Sequence, residues 1–132
     1  MFVSVLLILS TICAADSTET QEAQLNKEFD LPFRHKAVLK SEELEIVFSS
    51  VVEDSRCPKG EQCITSGNGV IELAVKKAAK SAVIIQLNTA KDPQEQSVEG
   101  SDIKLLDLKP YPGMGKTGSA QDYVATLLIT TN

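Results

Sequence analysis

Tryptophan is absent and aromatic residues make up only 5% of the 132 positions. No core of this chain can therefore rest on large rings, and the Cys, Trp, Cys pattern of true immunoglobulin domains is missing. The apolar positions are mostly Val, Ile and Leu, which suit a pleated, half-buried surface better than a helix. Histidine is equally scarce: His35 stands alone between Arg34 and Lys36. A Ser-His-acid relay would hang on that one imidazole with no identifiable partners, and carboxylate pairs such as Glu42-Glu43 and Glu53-Asp54 mark no glycosidase without a defined separation in space. Neither an enzyme nor a cofactor is expected. Basic residues are outnumbered, 13 Lys and Arg against 18 Asp and Glu, for a net charge of −5. That balance opposes nucleic-acid binding, which needs cations to displace phosphate counterions. No composition shift divides residues 25–132, so a single domain is expected.

Residues 1–15 combine an uncharged apolar run, Phe2 to Ile12, with the small residues Ala14 and Ala15, the pattern of a cleaved signal peptide. The run is shorter than the roughly 20 residues of a membrane helix. A second fate is lipidation at Cys13, because Leu9-Ser10-Thr11-Ile12-Cys13 is similar in outline to a bacterial lipobox. Ile12 departs from it, since the residue before a lipidated Cys is normally small. Residues 16–27 are polar and acidic and read as a disordered tether; residues 28–132 form the domain. The only membrane attachment this implies is a lipid on Cys13.

Within the domain, Phe29-Asp30-Leu31-Pro32-Phe33 alternates with period two, and Pro32 confines it to a sheet edge. Ala37-Val38-Leu39 continues that strand. Residues 44–53 form a strong strand whose phase slips near Ser49-Ser50, as a bulge would make it do. Residues 70–77 follow, with Ile71, Leu73 and Val75 facing inward, and residues 82–87 are the most β-prone run and belong in the centre of a sheet. A short strand at 96–99 and strands at 103–109 and 123–130 complete about seven. The expected fold is an all-β, antiparallel, immunoglobulin-like β-sandwich.

Cys57 and Cys63 enclose residues 58–62. In an exported chain a close pair is most simply a disulfide; zinc would need four ligands where two Cys and a distant His35 are offered. Asp54-Ser55-Arg56-Cys57-Pro58, then Cys63, then Gly67-Asn68, resembles the signature of a family of small, uncharacterised bacterial exported proteins and lipoproteins. The likeness covers residues 44–75, with weaker support at Leu108-Lys109-Pro110-Tyr111-Pro112. Members often carry an aromatic residue where this chain has Thr65. The resemblance implies an exported, disulfide-bearing β domain and no activity.

Asp54 is expected to accept hydrogen bonds at the loop entrance and Arg56 to pair with a carboxylate. The side chains offered to a partner are Arg56, Lys59, Glu61 and Gln62 in the disulfide loop and Tyr111, Met114 and Lys116 in the long connection 110–121. Gly115-Lys116-Thr117 is no phosphate-binding loop, because Pro110 stands where the first glycine belongs and no helix follows. If every strand reverses direction, the two loops share one end of the sandwich. The expected role is a non-enzymatic binding module in the periplasm, at the envelope or outside the cell, with a protein or envelope component as partner. The alternative is an extracellular serine-protease inhibitor presenting Lys59 from the Cys57-Cys63 loop.

Overall fold

The computed structural model describes residues 18–58, 60–112 and 120–131. The signal segment 1–15 with Cys13, together with Lys59, Met114 and Lys116, lies outside these residues. Among the described residues nine strands build two packed sheets, the expected all-β sandwich. They are β1 (Thr20–Glu22), β2 (Phe29–Pro32), β3 (Lys36–Leu39), β4 (Leu44–Asp54), β5 (Gly69–Lys77), β6 (Val83–Asn88), β7 (Glu95–Val98), β8 (Ser101–Lys109) and β9 (Val124–Thr131). One sheet has the order β1-β3-β4-β5-β6 and the other β2-β9-β8-β7. Within each sheet most neighbours are consecutive hairpins, an order different from the interleaved one of immunoglobulin domains.

Alternation explains the core. Ala37, Leu39, Leu44, Ile46, Phe48, Ile71, Leu73, Val75, Ile85 and Leu87 line the first sheet's inner face. Leu31, Val98, Ile103, Leu105, Leu108, Ala125, Leu127 and Ile129 answer from the second. The phase slip in β4 is a real irregularity, its register against β5 shifting between Phe48 and Ser50 and again between Val51 and Glu53. A matching shift in β8 between Leu105 and Asp107 leaves Leu106 facing outward.

Three expectations are corrected. The first strand divides in two: Arg34 takes a left-handed φ of 65°, its N–H is held by the Phe48 carbonyl at 2.8 Å, and the chain passes from the second sheet to the first. The tether 16–27 contains β1, which runs parallel to β3. Backbone groups pair it, with Lys36 N–H donating to the Glu19 carbonyl and Ala23 N–H to that of Val38, and the buried Ala23 with Leu25 packed on the core anchors its end, so a mostly polar segment orders on a ready-made edge. The run 82–87 is not central, because β6 ends its sheet; Ile85 and Leu87 are buried while Val83 and Ile84 remain 48% and 56% exposed.

Candidate functional site

The β4-β5 hairpin extends past its last strand pair, Asp54 with Gly69, into the disulfide loop. Ser55 N–H donates to the Asn68 carbonyl at 2.9 Å and Cys57 N–H to that of Ser66 at 3.0 Å, forming a two-rung stem. Cys57 and Cys63 are joined, with Cα atoms 5.9 Å apart. Gly67 permits the stem to close: its φ is +70° and a Cβ there would lie 1.8 Å from the Ser55 carbonyl oxygen. Beyond the stem, residues 60–66 are all exposed. Glu61 and Gln62 are on this tip, as expected. Ile64, which no motif in the sequence marks, is fully exposed.

The loop entrance is held by Arg56. Of the two expectations for this side chain, the pairing with a carboxylate is the one seen; it is 6% exposed and not offered to a partner, because its donors are taken up inside the fold. Nε and Nη2 donate to the two Asp54 carboxylate oxygens at 2.8 and 2.9 Å. Nη1 donates to the Leu108 carbonyl and Nη2 also to that of Pro110 at 2.8 Å. The guanidinium lies 4.7 Å from the centre of the half-buried Tyr111 ring. Tyr123 Oη donates to Asp54 at 2.7 Å. One ion pair thus links the end of β4 in the first sheet to the end of β8 and the start of β9 in the second. The described ends of the long connection are therefore neighbours of the disulfide loop, as strand parity implied.

Electrostatics follow from the geometry. Burial alone would raise the Asp54 carboxyl, but hydrogen bonds from Arg56 and Tyr123, with the guanidinium charge, hold it below its ordinary value. Burial would likewise weaken the Arg56 charge, and Asp54 more than compensates. Tyr123 is pushed up, first by burial and then by its bond to Asp54. Both Asp54 oxygens are occupied by donors from within the fold, so the cluster is a clamp.

Asn68 secures the other side of the stem. Buried at the start of β5, it donates from Nδ2 to Asn88 Oδ1 at 2.9 Å and accepts from Ala90 N–H at 3.0 Å. Gly69 N–H donates to Thr89 Oγ1 at 2.9 Å. Asp54, Arg56, Gly67 and Asn68, four positions of the signature, are thereby explained as architecture. The loop is a convex feature; an open depression of about 340 Å³ lined by Val38, Lys40, Glu43, Glu45 and Ala78 lies toward the opposite end of the first sheet. Among the described residues no group of three or more His, Cys, Asp and Glu could hold a metal ion. No family model, curated protein or solved structure matches this chain.

Proposed function

We propose that the chain is a non-enzymatic binding module exported to the bacterial envelope, engaging a protein or envelope component through the tip of its disulfide loop. The observation that carries this reading is Ile64, a large aliphatic side chain fully exposed on a loop fixed by a disulfide, a two-rung stem and the Arg56 clamp. Burying such a side chain against a partner contributes about 1.5 to 3 kcal/mol, and a loop already ordered loses little entropy on binding. Glu61 and Gln62 supply polar contacts around it. Export is supported by the disulfide, since such bonds persist in oxidising compartments, by the apolar N-terminal segment and by the resemblance of the cysteine signature. A lipid on Cys13 would tether the module to a membrane.

A second reading, inhibition of an extracellular serine protease, draws support from the same closed loop and from Lys59 in its sequence. Capture from envelope extracts, run beside a serine-protease panel, separates the two. The binding-module reading predicts a captured component that Ile64→Lys loses, with every protease in the panel unaffected. Nanomolar inhibition of one protease, abolished by Lys59→Ala, would establish the second reading in its place. Capture that survives Ile64→Lys would remove the loop tip as the binding surface.

A further inference from the structure

The edges of the two sheets are not protected alike. An open strand edge is normally blunted by charge, proline or brevity. At the other three edges, β1 has three residues and ends on Glu22, β2 carries Asp30 and Pro32, and β7 has four residues starting at Glu95. At the fourth, β6 runs Val83-Ile84-Ile85-Gln86-Leu87 with neither charge nor proline. Two of the chain's exposed large hydrophobic residues, Val83 and Ile84, are adjacent on it.

Hydrogen bonding identifies which groups face outward. Asn88 N–H bonds to the Pro93 carbonyl at 2.9 Å, and the Gln86 carbonyl accepts from Gln96 Nε2 at 2.8 Å. Both partners lie on the side away from β5. Alternate residues of an antiparallel strand share one bonding direction, so Ile84 also points its N–H and C=O outward. Among the described residues nothing pairs with either group. The covered end of the edge, at Gln86 and Asn88, leaves a short open window centred on Ile84.

We infer that this window pairs with the same window of a second copy, antiparallel about a two-fold axis at Ile84. A residue with both backbone groups facing outward is self-complementary in that arrangement: each Ile84 N–H donates to the other's carbonyl, closing a hydrogen-bonded pair. The register then sets Val83 opposite Ile85 of the second copy on the inner face, covering the exposed valines. On the outer face, the cross-strand row Val47, Ala74 and Ile84 meets its own image. The absence of charge across the window makes like meet like without repulsion. The result is a ten-stranded sheet with the two disulfide loops at its opposite ends.

Sedimentation equilibrium of the purified chain tests this. A monomer-dimer equilibrium is expected, with the dissociation constant raised at least tenfold by Ile84→Lys, which sets two like charges directly opposite. Ile84→Pro removes the outward N–H without breaking a bond to β5 and is expected to give the same loss with an unchanged far-ultraviolet spectrum. A wild-type chain that stays monomeric up to about 1 mM would overturn the inference, as would a dimer that persists in both variants.

Discussion

Arg56 is bonded to two distant parts of the chain at once, to Asp54 at the end of β4 and to Leu108 and Pro110 at the end of β8, and stacks on Tyr111. Truncating it leaves the Asp54 carboxylate, mostly buried, facing two orphaned carbonyls. Breaking one partner of a buried pair costs about 3 to 5 kcal/mol, so urea unfolding of Arg56→Ala should show a loss of that size; a loss below about 1 kcal/mol would mean the pair behaves as a surface ion pair. Lysine should not rescue it, having no planar fork to span Asp54 and both carbonyls. Tyr123 gives a pH signature. Its folded pKa is raised, so its contribution is complete below the ordinary tyrosine value of about 10 and is lost as pH rises through the folded value. Asp54 has the opposite sign: its folded pKa is lowered, and its contribution is lost as pH falls through that value, in acid below about 4. Denaturant midpoints across pH should therefore fall at both ends, and Tyr123→Phe should lack the Tyr123 share of the alkaline fall. An identical alkaline profile in wild type and variant would contradict the Tyr123 assignment.

At the scale of elements, the hairpin of β4 and β5 was legible because period-two alternation states which face a residue takes. Ile71, Leu73 and Val75 are inward as read, and the bulge near Ser49-Ser50 follows from the broken phase. Alternation does not state what lies beside a strand. The β-prone residues 82–87 therefore read as central although β6 has a neighbour on one side only, and β1 was invisible because it is paired through backbone bonds to β3. The disulfide was legible from the close cysteine pair, yet its ring is small. Closing so short a loop removes about 2 kcal/mol of chain entropy from the unfolded state. The paired substitution Cys57→Ser with Cys63→Ser should lower unfolding free energy by about that amount while the core strands keep their amide protection. Global unfolding of the double variant at room temperature would show the bridge to be essential to the fold, against this account.

For the whole molecule, the disulfide loop and the long connection are brought together by topology. Their closest links, Arg56 to Leu108 and Pro110 and Asp54 to Tyr123, join residues more than 50 positions apart, and no local pattern could name those partners. Strand parity alone brought the loops to one end. The local sequence made the Arg56 pairing with a carboxylate legible but not its burial, which withdraws it from the partner surface, and it left Ile64 unmarked although that side chain is fully exposed on the loop tip. The sandwich thus has one end tied across both sheets by the Arg56 clamp, with an aliphatic side chain held out beyond it. The most direct test is a photo-reactive amino acid placed at position 64 in cells, with the same probe at the exposed Leu106 of β8 as control. The account predicts an adduct formed from position 64 alone and suppressed by excess wild-type chain but not by Ile64→Lys. Identical adducts from both positions, or none from position 64, would contradict it.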